Sequence, residues 1–593
     1  MVIRRFAMLL VALTCLTPLA SSRAQSARID SLDAYIKAQM AERHIRGLSL
    51  AIIKDGRIAF ARGYGVTDDS SKAPVTTETL FQAGSISKPV SALGTLHLVQ
   101  SGALSLDTDV NATLQSWKVP ENRFTATEKV TLRRLMSHTA GMTVHGFPGY
   151  DVSERVPTVV QVLDATPPTN TAPIRVDTTP GAIWRYSGGG ITVMQLMVMD
   201  VTGKPFPQFM RETVLGPIGM TSSSLEQPLP NALARRTAAG YYADRSPVRE
   251  RWHVYPEMAA AGLWTTATDL AKFAIEVQQT LAGHGHGVIS PAMAREYLTE
   301  VKGGYGLGVG VQGSGPSLHF SHGGRDEGFD AMLMAGAETG DGVAVMINAN
   351  DNSRFMGRVR EYIERSWQFD GASASHPAPA ATTAVRIDPK RLDRFAGYYE
   401  ASENNMVVLV PNRDGSGMRT MVDWLPDESL LTIDSVTFGS NERPFRIRFI
   451  EDDKGVITGA VVRPGEPQER RAPRIVSLPS TVRPTADPDP ALTRRIQGAL
   501  AAVHAGGETL ANAADVTPGA KQDFAGGADP ALGGAVAAVF IADADVSGRG
   551  IRRHGGEVAH VKVYRITTPA GDRYLFAHLT SNQQLTDYDI VAR

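Results

Sequence analysis

Ser85-Ile86-Ser87-Lys88 is the one Ser-x-x-Lys in the sequence, and it sets an amine where it can reach a hydroxyl. On a helix, residues three apart share a face, so Lys88 stands beside Ser85. A free serine does not lose its proton near pH 7, and a neutral lysine is a base that can take it. Alone the pattern is weak: among 593 residues with 13 lysines, about one match arises by chance. Pro89 adds a constraint. It lacks an N–H and is tolerated only in a first turn, which puts Ser85 at or just before a helix N-terminus. That end supplies free backbone N–H groups and a partial positive charge, both suited to an oxyanion. The residue before a proline resists the α region, so a distorted first turn is expected.

Rival chemistries lack their residues. There is no Gly-x-Ser-x-Gly, no His-Glu-x-x-His and no Gly-x-x-x-x-Gly-Lys-Ser/Thr. His284 and His286 sit in GHGHG and read as a glycine-rich loop tip rather than a metal site. One cysteine, Cys15, rules out an internal disulfide framework and a thiolate zinc site. With 60 basic against 61 acidic residues and a formal charge of −1, no basic field exists to hold nucleic acid. No metal or organic cofactor is implied.

The elements that must position the serine mix helix and strand. Ile29, Leu32, Ile36 and Met40 share one face of an opening helix. Leu48–Ile53 and Ile58–Ala61 flank Lys54-Asp55-Gly56-Arg57, and Asp-Gly tolerates positive φ at both central turn positions, so a hairpin is predicted. Helical patterns follow at Val90–Ser101, stopped by Gly102, and Thr192–Val201, stopped by Gly203. Tyr305–Val311, Leu318–Ser321 and Val343–Asn348 read as later strands. A strand hairpin, a long helical middle and more strands predict an α/β (α+β) antiparallel sheet flanked by helices, not a doubly wound parallel sheet.

Further motifs give the serine a context: Leu80-Phe81-Gln82-Ala83-Gly84 before it, then Leu135-Met136-Ser137-His138-Thr139-Ala140-Gly141, Pro180-Gly181, Tyr186-Ser187-Gly188 and His322-Gly323-Gly324. In this order the chain resembles the serine β-lactamase and penicillin-binding superfamily over roughly residues 28–370. It is most similar to the branch holding class C β-lactamases, family VIII carboxylesterases and D-amino-acid peptidases. The resemblance implies a β-lactamase/DD-peptidase-like catalytic domain with a helical subdomain. It implies Ser85 as acylated nucleophile, Lys88 as its proton acceptor and Tyr186 as the proton shuttle to the leaving group. His322-Gly323-Gly324 takes the place of Lys-Thr-Gly, so His322 joins the catalytic set and Gly323 and Gly324 line the substrate. The oxyanion hole is then the backbone N–H of Ser85 with that of Arg325. His138 reads as structural, holding a turn.

Two departures narrow the substrate. Gly188 stands where the family has an asparagine that meets the substrate amide. His322 replaces a permanent ammonium with an imidazole mostly neutral at pH 7, and Arg325 replaces that charge only if its side chain turns inward. Small-molecule ester, amide or peptide substrates are therefore expected ahead of β-lactams. The rival readings are a D-amino-acid or linearised-peptide peptidase with weak β-lactamase activity, and a penicillin-binding sensor that acylates and stops.

Around this block, residues 1–24 read as a signal peptide. Arg4-Arg5 precedes an apolar run from Phe6 to Leu16, and small residues stand at Ser22 and Ala24. The run is too short to span a bilayer comfortably, and no later one approaches ~18 residues. An exported chain, periplasmic or secreted, without a stable membrane anchor is expected. Residues 371–388 and 481–490 read as linkers. They set off a catalytic domain at 25–370, a small antiparallel barrel at 389–480 that resembles lipocalin-like appendages of this branch, and a small α+β domain at 491–593. Tyr398, Tyr399 and Trp424 read as core rings ahead of an aromatic contact surface. The C-terminal domains offer a route to a homo-oligomer.

Overall fold

In the computed structural model, residues 25–242, 245–350, 355–369, 388–402, 405–412, 415–422, 425–440, 446–465, 469–478, 483–524, 538–549, 551–553, 556–568 and 571–592 are described. The expected signal peptide, nearly all of the first linker and Trp424 lie outside them. The chain divides into two compact units. One takes in the described residues of Met1–Leu104, Asp151–Ser153 and Lys204–Ser373. The other takes in those of Ser105–Tyr150, Glu154–Gly203 and Ala374–Arg593.

The first unit is built on a six-stranded antiparallel sheet. Its strands in spatial order are Arg57–Gly65, Gly47–Lys54, Gly342–Ile347, Phe329–Gly336, His319–Asp326 and Gly310–Gln312. The opening hairpin turns at Asp55 and Gly56, whose φ values of 52° and 69° are those the pair was expected to supply. Leu48–Ile53 and Val343–Ile347 are buried without alternation, because both faces of the sheet are covered. One face takes Leu48, Leu50, Ile52, Val343, Val345 and Ile347. Leu32 and Ile36 of a helix over 25–43 and Val359 and Ile363 of the helix Phe355–Ser366 pack there. The helix Ala267–Leu281 covers the other. Expected strand 305–311 shrinks to Gly310–Gln312: Gly303, Gly304 and Gly308 take positive φ and fold 303–309 as a turn. The strand Phe329–Gly336 was not foreseen from the sequence.

The second unit holds the helical middle, including the helix Gly188–Thr202, and both C-terminal blocks. Eight antiparallel strands between Gly397 and Ser477 close into a barrel. Its interior is filled by Phe395, Tyr399, Leu409, Met418, Leu430, Phe438, Ile447 and Phe449. A four-stranded sheet follows, ordered Ala538–Asp545, His560–Thr568, Gly571–Leu579 and Leu585–Ala592. One face meets Leu492, Ile496, Leu500 and Val503 of the helix Pro490–Ala505. The other shares a core with the outside of the barrel, where Tyr398, Val408 and Val476 join Ile541, Val561, Val563 and Phe576. Tyr398 and Tyr399 are both core rings; Tyr398 stacks on Phe576 at 4.1 Å.

Candidate active site

Ser85 lies in a 3-10 turn, Gly84–Ile86, that runs directly into the helix Ser87–Gln100, with Pro89 inside the first turn of that helix. The helix is apolar nearly all round and buried along most of its length, which fixes its N-terminus inside the unit. Ser87 pins the turn: its hydroxyl donates to the Gly84 carbonyl at 2.6 Å and accepts from the Leu263 N–H at 2.9 Å.

Lys88 Nζ lies 2.8 Å from Ser85 Oγ and donates to the Ala260 carbonyl at 2.9 Å. The side chain is 2% exposed, and burial pushes its amine down to about 7 against the opposing pull of the Asp326 carboxyl. A neutral amine carries two hydrogens and one lone pair. One hydrogen goes to Ala260, and the lone pair can face the serine hydroxyl. Ala260 lies in a short helical segment, Met258–Ala261, that the sequence did not mark as part of the site.

The strand His319–Asp326 lies against the serine turn. Gly84 takes a φ of +50°, and a Cβ there would sit 2.5 Å from the Arg325 backbone nitrogen. A Cβ on Gly324 would sit 1.9 Å from the Ala83 carbonyl oxygen. Two glycines therefore let the turn and the strand meet backbone to backbone, with the Arg325 amide beside the Ser85 turn. Gly323 is different: its nearest neighbour from a Cβ would be 4.0 Å away, facing open space.

His322 is buried on the same strand. Its Nε2 lies 2.7 Å from the Tyr305 hydroxyl and its Nδ1 2.5 Å from the Gly323 carbonyl. Burial first, then the nearby Lys88, pushes the imidazole down to about 3, with the Gly323 bond opposing. It is a neutral ring: Nδ1 donates to Gly323 and Nε2 accepts from Tyr305. Arg325 does not turn its charge inward; its guanidinium grips the buried Asp330 carboxylate in a fork, with both bonds at 2.7 Å. His286 meets Glu276, 2.6 Å from Nδ1, and the described residues hold no group of three or more His, Cys, Asp or Glu placed to bind a metal.

Ser85, Lys88, His322, Gly324 and the Arg325 amide are thus brought together in the first unit. Tyr186 belongs to the second. Its ring sits between His138, at 4.2 Å between centroids, and His145, at 4.9 Å. His138 Nδ1 accepts the Ser187 N–H at 3.2 Å, and the Ser187 hydroxyl caps the following helix by accepting from the Gly190 N–H at 3.0 Å. Gly188 is a packing glycine, since a Cβ would lie 2.9 Å from the Phe147 ring and 3.0 Å from the His145 carbonyl. The space an asparagine would need is already filled.

Sequence reasoning missed three buried acidic or phenolic groups: Tyr255 and Glu257, which precede Ala260 in the chain, and Asp326, which lies within electrostatic reach of Lys88. Glu257 is fully buried, its carboxyl meeting no partner beyond its own backbone among the described residues, and burial pushes it up to about 8. Only the isolation of an acid among the apolar residues of 254–263 hinted at this.

Comparison with known proteins identifies the family. The beta-lactamase family model matches residues 32–366, more than half of the chain. Penicillin-binding protein 4 of Amycolatopsis lactamdurans is 28% identical over 269 residues, 44% of this chain and 67% of that protein. Esterase EstB of Burkholderia gladioli is 27% identical over 249 residues, 40% of this chain and 60% of that protein. The chain spans about two thirds of the length of the curated relatives it matches. Among solved structures, the octameric penicillin-binding protein homologue from Pyrococcus abyssi covers 75% of this chain and 99% of its own. Its TM-score is 0.51 at 20% identity, a likeness of fold. The chain belongs to the beta-lactamase family, the serine hydrolase family that also holds penicillin-binding proteins and esterases.

Proposed function

We propose that the protein is an exported serine hydrolase that cleaves esters, or activated amides and short peptides, through an acyl-enzyme on Ser85. The observation that carries this reading is the 2.8 Å contact between Ser85 Oγ and a buried Lys88 whose amine titrates near neutrality. Lys88 takes the Ser85 proton as Oγ attacks the substrate carbonyl. The tetrahedral oxyanion rests on the backbone N–H groups of Ser85 and Arg325, and the leaving alcohol departs with a proton. Tyr186 is assigned the shuttling of that proton on the strength of its motif. Water then attacks the acyl-enzyme with the proton steps reversed.

Two features favour esters over β-lactams and carboxyl-terminal peptides. His322 is a neutral ring and the Arg325 guanidinium is spent on Asp330, so the strand offers no unpaired cation to clamp a substrate carboxylate. Gly188 supplies no side-chain amide. Export rests on the N-terminal sequence pattern alone. The test is a panel of p-nitrophenyl esters, nitrocefin and D-alanyl peptides, with Ser85→Ala as the blank. Short esters should give the highest kcat/KM, and Ser85→Ala should lose turnover of all three. Full activity in Ser85→Ala would refute the reading.

A further inference from the structure

Resting on the assignment of Tyr186 as the proton shuttle, we propose that His138 is its positioning residue: one buried histidine ties the chain on both sides of Tyr186 and lays its imidazole against the phenol ring. His138 is 2% exposed and follows the short helix Leu132–Met136 in the left-handed region, at a φ of 59°. Its N–H donates to the Leu135 carbonyl at 3.3 Å, and the Thr139 N–H reaches back to the Arg134 carbonyl at 2.9 Å, the closing pattern of a helix end. Glycine or asparagine is the usual residue at such a position, because a larger side chain is strained at positive φ. A buried histidine held there against that strain points to a task for its side chain.

Three contacts show the task. The His138 carbonyl accepts the Arg185 N–H at 2.8 Å, and Nδ1 accepts the Ser187 N–H at 3.2 Å. The residues before and after Tyr186 are therefore both bonded to His138. The imidazole also lies 4.2 Å from the Tyr186 ring between centroids, tilted by 39°. Because Nδ1 accepts, the ring is neutral and carries its proton on Nε2. Other bonds anchor this stretch of chain but not the phenol. The Arg185 guanidinium meets Asp177 and the Gly141 and Met142 carbonyls. The Ser187 hydroxyl donates to the Thr143 carbonyl and accepts from Gly190. Tyr186 is half-buried, and of the two imidazoles against its ring His138 is the closer and bonds both flanking residues. As the ester C–O bond breaks, its electron pair passes to the leaving oxygen, which takes the phenol proton; the proton lost by Ser85 restores the phenol. A shuttle displaced by ~1 Å forfeits about 100-fold in rate, so the residue that fixes its position matters to the step.

The test separates leaving groups. p-Nitrophenolate departs without a proton and ethoxide needs one, so kcat/KM of the full chain is measured on p-nitrophenyl butyrate and ethyl butyrate, which give the same acyl-enzyme. Tyr186→Phe is the reference and should lose about 100-fold or more on the ethyl ester and far less on the nitrophenyl ester. His138→Gly suits the positive φ but removes acceptor and ring; it should lose about 10- to 100-fold on the ethyl ester and less than about threefold on the other. His138→Asn tolerates the same φ and keeps an acceptor near Nδ1, so it should recover most of that loss. In the Tyr186→Phe background, His138→Gly should cost no more than about twofold further, since it acts through the phenol. Equal losses on both esters, a full additional loss in the Tyr186→Phe background, or a His138→Gly protein that does not fold would each make His138 a fold residue only and overturn the proposal. If Tyr186→Phe itself treats the two esters alike, the shuttle assignment falls; if it discriminates and His138→Gly does not, only the positioning claim falls.

Discussion

Adding one methyl group at Gly324 should disable the oxyanion hole without touching any reactive atom. The Cβ of an alanine there would lie 1.9 Å from the Ala83 carbonyl oxygen, with the Ile86 side chain next at 3.3 Å. A comfortable carbon–oxygen contact needs more than 3 Å, so strand and turn must part by about 1 Å. That displacement carries the Arg325 N–H away from the position the oxyanion occupies. Loss of one such donor costs about 100- to 1,000-fold in kcat, or ~3–4 kcal/mol, and a 1 Å misplacement alone accounts for about 100-fold. The assay is kcat/KM for p-nitrophenyl butyrate beside a thermal melt, so that reduced activity is read only from folded protein. Gly323→Ala is the matched comparison, because its methyl would face open space; it should label with fluorophosphonate within a few-fold of wild type. Folded Gly324→Ala protein with activity within threefold of wild type would refute the assignment of the Arg325 amide.

The other expectations probe separate parts of the account. Lys88→Ala should lose about 100- to 10,000-fold in acylation rate. The wild-type rate should climb with pH through about 7 as the amine loses its proton, and a flat wild-type profile would argue against lysine as base. Gly188→Asn, which restores the family's residue, should lower the melting temperature and confer no nitrocefin hydrolysis, because its Cβ meets the Phe147 ring and the His145 carbonyl. Glu257→Gln should gain stability relative to wild type as pH rises. The native carboxyl titrates near 8 against about 4.5 when unfolded, so its favourable share is complete below about 4.5 and drains away through about 8, at up to ~1.4 kcal/mol per pH unit. Melts of the two proteins at pH 5 and pH 8.5 give that difference, and a constant gap would contradict it. Tyr398→Phe should destabilise the C-terminal region by ~1–3 kcal/mol. Its hydroxyl meets His578 at 3.0 Å and donates to Asp589 where barrel and terminal sheet share a core; chemical denaturation followed by Tyr fluorescence gives the number.

The local chemistry of the site was readable because it obeys short-range rules. Ser-x-x-Lys fixes a side-chain pair by helical spacing, Pro89 marks the turn boundary, and Asp55-Gly56 announces a hairpin by the φ values it tolerates. What the sequence hid depends on long-range packing. The role of Gly84 and Gly324 comes from two backbones, 240 residues apart in the chain, lying in contact. His322 is identifiable as a substituted position, but its neutral, doubly bonded state follows from Tyr305 and from burial. Asp326 and Glu257 carry no motif; only the fold reveals that they are buried. The strand 305–311 was over-read because its Val and Tyr residues fit a strand while its glycines build a turn. In the C-terminal half the strand runs and a small antiparallel barrel were legible, whereas the core that the barrel shares with the terminal sheet was not, since it has no local signature.

The most direct test of the central claim is peptide-level mass mapping of the wild-type protein quenched during turnover of a slow ester. The account predicts a single acyl adduct on Ser85, forming at neutral pH and decaying as product appears. An adduct on any other residue, or turnover with no covalent species at all, would contradict it.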